Sequence, residues 1–295
     1  MSSLSECIPW MTVGLAECVA IVTLNLCTII SFMRNRNLRK RSTYLVINLA
    51  VIDMFVGETV VYCLFYRPGV ECNLWQRHLI YDTGTNIFLE VLKDFFPFAS
   101  LTNITMIAFE RVYATFFPFK HRVLKKWVYR LIIAVVWAAS GLAAVSYRLL
   151  VVFGKRQTVT YLRFTVLFIF LLIICVSYTC IAIRVRCGAQ PRHHGAASRE
   201  RKLTMTLLIV TVVSLLLCLP NAVFFFAISI SKSKIHWSVL NHADYTVTFL
   251  FFANSLVNPI LYAIRMPEYR SAFLALFRRR AQQQIQVAVF PIRHM

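Results

Sequence analysis

The sequence predicts an all-α membrane protein, folded as a bundle of seven transmembrane helices. The chain of 295 residues is 59% hydrophobic and only 15% charged, with a mean hydropathy of +0.65. A soluble domain is roughly 45–50% apolar and about 25% charged. The apolar residues also form seven blocks, and about twenty apolar residues suffice to cross a bilayer as a helix. Because these blocks are continuous rather than alternating, we expect helices and not a β-barrel.

The seven blocks give the helices in chain order. The first charge is Glu6 and no basic residue precedes the first block, unlike a cleaved signal peptide, so we expect this helix to be retained. No repeat or long linker divides the chain, and residues 1–295 are expected to form a single domain. We place the helices at about residues 9–33, 43–66, 83–116, 127–150, 160–186, 201–230 and 238–263.

The net charge of +20 is explained by where the basic residues lie. Most of the 32 Lys and Arg residues follow the first, third, fifth and seventh blocks. Positive charge collects on the cytoplasmic side of membrane proteins, so we expect the N-terminus outside and the C-terminus in the cytoplasm. The basic excess therefore indicates topology and attraction to anionic membrane lipids, and not binding to nucleic acid.

Polar residues interrupt the apolar blocks in an ordered pattern. Asn25 lies in the first block, "LAVID" in the second ends at Asp53, and "FANSLVNPILYAI" runs through the seventh. Glu110 and Arg111 stand side by side near the end of the third. A charged side chain at the centre of a transmembrane helix costs at least ~2.5–3.5 kcal/mol on insertion scales, so such residues are functional candidates.

These motifs resemble those of the rhodopsin-like (class A) G-protein-coupled receptors. "LAVID" resembles their L-A-x-x-D motif, Glu110-Arg111-Val112 their D/E-R-Y motif, and "NPILY" their N-P-x-x-Y motif. The segment "RMPEYRSAFLALF" resembles their amphipathic eighth helix, which we expect at about residues 267–280. The resemblance covers about residues 20–277. Single residues of the fourth, fifth and sixth helices also match: Trp137, Tyr178 and Pro220.

The resemblance implies a plasma-membrane receptor that transduces an extracellular ligand to a heterotrimeric G protein, and not an enzyme. The G protein would meet Arg111, the 116–127 loop, the inner ends of the fifth and sixth helices and the eighth helix. Two other functions stay open. Charged residues inside the membrane would suit an ion channel or transporter, and a receptor-like protein with constitutive activity fits the departures described below.

An ion pair near the cytoplasmic end would control such a receptor. Glu110 can neutralise Arg111 locally, and Glu200 at the start of the sixth helix can neutralise it across the bundle. Breaking that link would free Arg111 for the partner, a two-state switch. The alternative is that both acids are solvated interfacial charges. The resemblance adds further switch residues, of which Tyr262 would swing toward Tyr178 on activation: Tyr178, Pro220, Asn258, Pro259 and Tyr262.

A sodium ion is the one non-protein group that the resemblance implies. In such receptors oxygen-bearing residues around the carboxylate of the second helix hold an allosteric Na⁺, and no other cofactor is expected. The alternative is a hydrogen-bonded water network without sodium. The matching residues here are Asp53, Ser100, Asn254, Ser255 and Asn258.

The chain departs from the family pattern at four positions. Asn86 replaces the usual cysteine at the outer start of the third helix, and Phe170 replaces the usual proline of the fifth. Cys218 and Ser214 stand where a tryptophan and a phenylalanine are usual in the sixth. The missing loop disulfide, the short second outer loop and the missing proline resemble the melanocortin, lysophospholipid and adenosine receptor branch. Cys7 and Cys72 lie on the expected outer side and either form a disulfide or remain thiols.

Charged and aromatic residues in the outer halves of the helices predict the ligand pocket. Glu90 lies at helical spacing from Lys93 and Asp94, so the three charges either meet a ligand or neutralise one another. Lys93 occupies the position of the aspartate of amine receptors, which disfavours a simple biogenic amine. Residues 238–263 hold no lysine, which excludes a retinal photopigment. Small-molecule, lipid and peptide ligands stay open. The candidate contacts are Glu58, Glu90, Lys93, Asp94, Arg148, Arg163, Asn221, Phe224, Phe225 and Asp244.

Overall fold

The computed structural model describes residues 4–35, 38, 43–74, 83–187, 196–230 and 237–276. Within these ranges the chain is helical, with no strand. A short helix, Pro118–Val123, connects α3 to α4 and is called the loop helix below. The seven long helices are α1 Leu4–Arg34, α2 Thr43–Glu71, α3 Thr83–Phe116, α4 Lys126–Val152, α5 Arg156–Cys187, α6 Ala196–Ile230 and α7 Trp237–Arg265.

The predicted bundle of seven helices is confirmed. Six of the described helices are long and apolar enough to cross a membrane. The seventh, α3, has 34 residues and carries the charged residues that lower its hydropathy. It packs against α2, α4, α5 and α6 and so occupies the middle of the bundle, where neighbouring helices can neutralise those charges. We call the side at which α1 begins the N side and the side at which α7 ends the C side.

Several helices extend beyond their predicted ends. The predicted start of α1 at Pro9 is too late, because the helix begins at Leu4 and Pro9 lies within its second turn. The helices α5 and α6 begin at Arg156 and Ala196, earlier than the predicted 160 and 201. Hydropathy underestimates these ends because polar residues continue a helix past the apolar block. Residues 267–276 form α8, and the rest of the predicted 267–280 helix lies outside the described residues.

Prolines and a π-helical turn interrupt the regular backbone hydrogen bonding of three helices. Pro97 and Pro220 lie inside α3 and α6, and each removes a backbone hydrogen bond there. In α2 a π-helical turn spans Val61–Tyr66, directly before Pro68. Such turns often occur where a helix adjusts to a functional site. The result is an irregular N-side half of α2 next to the predicted ligand pocket.

The helices α1 and α2 approach closely at two glycines. A Cβ atom added at Gly14 would lie 2.5 Å from the Cβ of Leu64, and one at Gly57 would lie 2.8 Å from the Cγ2 of Val22. Only a residue without a side chain fits there. This contact fixes α1 against the bundle along its N-side half.

Candidate functional site

The buried carboxylate of Asp53 joins three helices near the middle of the bundle. Ser100 and Ser255 donate hydrogen bonds to its Oδ1 at 2.8 and 3.0 Å, and Asn258 donates to its Oδ2 at 2.6 Å. Asn25 of α1 donates to the backbone carbonyl of Ser255 at 3.0 Å. Four helices, α1, α2, α3 and α7, therefore meet at one polar network. It contains four of the five residues predicted to surround a sodium ion, and the ion itself stays a prediction.

Three amide oxygens of this region are buried and lack a hydrogen-bond donor in the described part of the chain. They are the Oδ1 atoms of Asn25, Asn254 and Asn258. Together with the Asp53 carboxylate and two serine hydroxyls, they provide oxygen donors of the kind that a hard cation takes. The residues present thus fit the predicted sodium ion.

A second buried network surrounds Arg111 at the C side. The Nε of Arg111 lies 2.6 Å from Oε2 of Glu110, at an angle unsuited to a hydrogen bond, so the contact is electrostatic. The Oε1 of Glu110 contacts Nε2 of His121 at 2.6 Å and accepts a hydrogen bond from the Tyr129 hydroxyl at 3.2 Å. Arg111 is only 3% exposed. The acid is thus held by the loop helix and by α4 as well as by its neighbour.

The other predicted switch residues are spread over α5, α6 and α7. Tyr178 and Tyr262 are buried in one hydrophobic cluster with Ile104 and Ile107 of α3. The Tyr262 hydroxyl has no hydrogen-bond partner within the described ranges. Pro220 and Pro259 lie inside α6 and α7. Glu200 is in α6, but its side chain lies outside the described residues, so its link to Arg111 stays a prediction.

The acids predicted to share one cluster on α3 take different partners. Glu90 pairs with Lys93 at 2.7 Å, accepts a hydrogen bond from Tyr62 at 3.2 Å and lies 3.8 Å from Arg148. The expectation that Glu90 also reaches Asp94 is not met. Glu90 and Asp94 are both acids and repel one another, so each pairs with a base instead.

Asp94 instead pairs with Arg163 of α5. The guanidinium of Arg163 also lies 5.5 Å from the centre of the Tyr147 ring of α4, a cation–π contact. Arg163 is 45% exposed, whereas Asp94 is largely buried. Through these two contacts Arg163 joins α3, α4 and α5 on the N side.

Asp244 belongs to a separate rim cluster. It pairs with Arg67 of α2 at 2.9 Å, and Arg67 also pairs with Glu71 at 3.2 Å. The Tyr245 hydroxyl donates to Glu71 at 2.5 Å. A disulfide joins Cys7 to Cys72 beside this cluster, so α1, α2 and α7 are tied together at the N side.

Four further pocket candidates, Glu58, Asn221, Phe224 and Phe225, lie outside these charged clusters. Glu58 is exposed on α2 and the structure does not bring it into the charged clusters. Asn221 and Phe224 are half-buried on α6, and Phe224 packs edge-on against the more exposed Phe225 at 5.5 Å. The aromatic contact between α5 and α6 is made instead by Phe226, which stacks on Phe164 at 4.4 Å.

Comparison with known proteins decides the family. The family described as "7 transmembrane receptor (rhodopsin family)" matches residues 24–262, which include both buried networks. This chain belongs to the rhodopsin family of seven-transmembrane receptors. The predicted family is therefore confirmed, together with the predictions of a multi-pass membrane protein and of a receptor-family protein that is not an enzyme.

Individual relatives in the rhodopsin family are distant. The chain is 25% identical over 292 residues to the neuromedin-K receptor of Rattus norvegicus and 26% identical over 294 residues to that of Mus musculus. Both alignments cover 90% of this chain and 62% of the relative, so the chain spans less than two thirds of their length. The substance-K receptor of Mus musculus is 25% identical over 299 residues, covering 91% of this chain and 75% of the relative. The predicted nearness to the melanocortin, lysophospholipid and adenosine branch is not supported by these relatives.

Sequence reasoning missed several residues of this rhodopsin-family site. No sequence pattern linked His121 and Tyr129 to Glu110, because the path of the loop between α3 and α4 decides whether these residues come into contact. Glu17 did carry one. It is an acid within the first apolar block, it is 3% exposed, and both carboxylate oxygens lack a partner in the described part of the chain. Because burying a charge in a membrane is costly, Glu17 could have been identified from the sequence as a functional candidate.

Proposed function

We propose that this chain is a plasma-membrane receptor that converts binding of an extracellular ligand into activation of a heterotrimeric G protein. The observation that carries the proposal is the burial of Arg111 against Glu110 at the C side. Burying two charges costs free energy, and a buried pair that loses one partner is strongly destabilised. The paired and the separated arrangements of Arg111 can therefore serve as the two states of a switch. The rhodopsin-family match supports the same function.

The proposed orientation places the N side outside the cell and the C side in the cytoplasm. It rests on the basic residues that follow α1, α3, α5 and α7 in the sequence. The disulfide between Cys7 and Cys72 suits an oxidising extracellular environment. In this orientation the Asp53 network lies between the ligand and the G protein.

The proposed G-protein surface is the C-side face around the loop helix. Phe119 is 80% exposed in that helix and Phe117 is half-exposed. Large exposed aromatic residues near an inner helix end mark a protein–protein or membrane contact. Glu110 of α3 contacts His121 of the loop helix. A G protein bound to this face would therefore act directly on the ion pair between Glu110 and Arg111.

The proposed ligand carries both positive and negative groups. On the N side, Lys93 and Arg148 lie near Glu90, and Arg163 lies beside Asp94. A ligand with charge of one sign would pair with either the acids or the bases and would leave the others without a partner of opposite charge. The relatives are named as receptors for neuromedin-K and substance-K, so these two are the first ligands to test. A retinal photopigment and a simple amine receptor are not proposed.

An allosteric sodium ion is proposed at the Asp53 network. Asp53, Ser100, Asn254, Ser255 and Asn258 would hold it. Bound there, the ion would supply a positive charge that stabilises the closed packing of α2, α3 and α7. Ligand-induced movement of α7 would then disfavour the ion.

The test is G-protein dissociation in cells, comparing the natural sequence with Arg111→Ala and Glu200→Ala at matched surface expression. We expect Arg111→Ala to lower the signal and Glu200→Ala to raise the basal signal. Arg130→Ala is the matched control, because Arg130 is exposed on the same side and lacks an ion pair among the described residues. If all variants gave unchanged signals and the same cells carried ion currents, the proposed receptor function would be wrong and a channel would be favoured.

A further inference from the structure

A hydrogen bond joins α1 to α7 on the N side. The indole Nε1 of Trp10 on α1 donates to the imidazole Nδ1 of His242 on α7 at 3.1 Å. Both side chains are half-buried. The ring of Trp10 also packs against Tyr245 of the rim cluster, with the ring centres 5.5 Å apart. The bond therefore attaches the N-side end of α1 to the N-side end of α7, beside charged residues.

The direction of this bond requires a neutral histidine. An indole N–H only donates, so Nδ1 of His242 accepts with its lone pair and the ring proton lies on Nε2. A protonated imidazole carries a hydrogen on both nitrogens and has no acceptor. Protonation of His242 would set one N–H against another and break the bond with Trp10. Histidine is the side chain that ordinarily gains its charge between pH 5 and 8, so moderate acidification is enough to change this type of bond.

The rim cluster next to His242 has an excess of negative charge. Arg67 of α2 pairs with both Asp244 of α7 and Glu71 of α2. Two carboxylates thus share one guanidinium, and the Tyr245 hydroxyl donates to Glu71 as a neutral partner. A new positive charge on the imidazole would be attracted to these acids and away from the indole.

The other elements near His242 add few charges. Glu6 is half-buried in the first turn of α1. The N-side end of α6, residues 221–230, holds no charged residue. The link between α6 and α7 lies outside the described residues and holds three further basic residues: Lys232, Lys234 and His236. Because one of them is a histidine, a test of this bond needs variants at position 242 itself.

Breaking the bond would release α7 rather than α1. The disulfide between Cys7 and Cys72 keeps the N-side end of α1 attached to α2. The helix α7 is continuous and carries residues of the Asp53 network near its middle. There the backbone carbonyl of Ser255 accepts the hydrogen bond from Asn25 of α1. A shift of α7 at its N-side end is therefore transmitted to the buried network.

We propose that this chain senses extracellular acid through the bond between Trp10 and His242, as a second input beside its ligand. At neutral pH the bond holds α7 against α1. At acidic pH the imidazolium releases the indole and turns to the acids of the rim cluster, and the released α7 favours G-protein activation. The inference rests on the proposed extracellular location of the N side, whereas the release of the bond itself needs no G protein.

The first test is thermal unfolding of the purified full chain in detergent at about pH 8 and about pH 5.5, toward the two ends of histidine's ordinary range. Trp10→Phe keeps an aromatic ring and removes the donor, whereas His242→Asn keeps an acceptor oxygen that does not titrate. We expect Trp10→Phe to lower the melting temperature by about 2–4 °C at the higher pH, and to have no effect at the lower pH. In the His242→Asn background the loss from Trp10→Phe is the same at both pH values. Trp127→Phe, at an exposed position on the C side, is the control and shows no pH-dependent loss.

The second test is G-protein dissociation in cells at matched surface expression, with the external pH lowered from about 7.5 to about 6. We expect the basal signal of the natural sequence to rise about two- to tenfold, because one hydrogen bond is lost from the closed state. His242→Asn keeps the bond and gives a low signal at both pH values. Trp10→Phe lacks the bond and gives a high signal at both.

Either of two results would overturn the proposal. An equal loss of melting temperature from Trp10→Phe at both pH values, in the natural background, would show that the bond does not respond to protonation. A pH response in His242→Asn as large as in the natural sequence would assign acid sensing to another group. If the melting temperatures respond to pH as expected but no variant signals at any pH, the acid-sensitive bond is supported and the proposed coupling to a G protein is wrong.

Discussion

Glu110 and His121 are joined by a contact of 2.6 Å between Oε1 and Nε2, which ties the end of α3 to the loop helix. The Tyr129 hydroxyl lies 3.2 Å from both Glu110 Oε1 and His121 Nε2. The acid that neutralises Arg111 therefore depends on two residues that belong to other elements. In the proposed switch, movement of the loop helix and release of Arg111 would be coupled through this acid.

Replacing His121 is predicted to raise basal signalling. His121→Ala removes one of the groups that hold Glu110, which weakens the closed state. A net hydrogen bond contributes about 0.5–1.5 kcal/mol, so the active population rises roughly two- to tenfold. Basal G-protein dissociation at matched surface expression measures this. Leu142→Ala, an exposed position in the middle of α4, should leave the signal unchanged. A basal signal as low in His121→Ala as in the natural sequence would contradict the coupling.

Replacing Asp53 is predicted to abolish stabilisation by sodium. Asp53→Asn keeps an oxygen acceptor for Ser100 and Ser255 but removes the negative charge that a cation requires. Sodium at ten times its Kd stabilises the protein that binds it by about 1.4 kcal/mol. We expect the melting temperature of the natural sequence to rise when choline chloride is exchanged for sodium chloride, and that of Asp53→Asn to stay constant. The same rise in both proteins would favour the water network instead.

Removing the carboxylate of Glu17 is predicted to stabilise the protein. This side chain is buried on α1 with both oxygens unpartnered in the described ranges. A buried polar group without a partner costs about 1–3 kcal/mol, so Glu17→Leu should raise the free energy of unfolding by a similar amount. Thermal unfolding in detergent measures it. Glu58→Leu is the control, because Glu58 is exposed on the neighbouring α2. A lower melting temperature for Glu17→Leu would reveal a polar partner of the carboxylate.

Adding a methyl group at Gly14 is predicted to destabilise the bundle. The added Cβ would lie 2.5 Å from the Leu64 Cβ and 3.0 Å from its backbone carbonyl, so α1 and α2 must separate. Overpacking of this kind costs about 1–3 kcal/mol. Gly141→Ala is the matched control, because its nearest neighbour, Phe95 Cε2, lies at 3.7 Å. Melting temperatures of the two variants in the same detergent test the prediction, and equal values would contradict it.

Short sequence motifs were enough to predict part of the candidate site. The motifs around Asp53 and Asn258 predicted a network that the structure assembles, because both residues sit at fixed positions on long helices that pack side by side. The pairing of charges was less predictable. Asp94 lies four residues after Glu90 on α3, yet it bonds to Arg163, which is 69 residues away in sequence.

The sequence by itself determined the seven helices, their order and the family, because helix length and hydropathy are properties of short continuous segments. It also marked the acids and amides inside the membrane, since their burial is costly wherever the helices pack. Only the tertiary structure decided which partners they take. The contacts of Glu110 with His121, of Asp94 with Arg163 and of Asp244 with Arg67 depend on the rotation of each helix and the path of each loop. Those are set by packing between segments far apart in the chain, such as the close approach of Gly14 to Leu64.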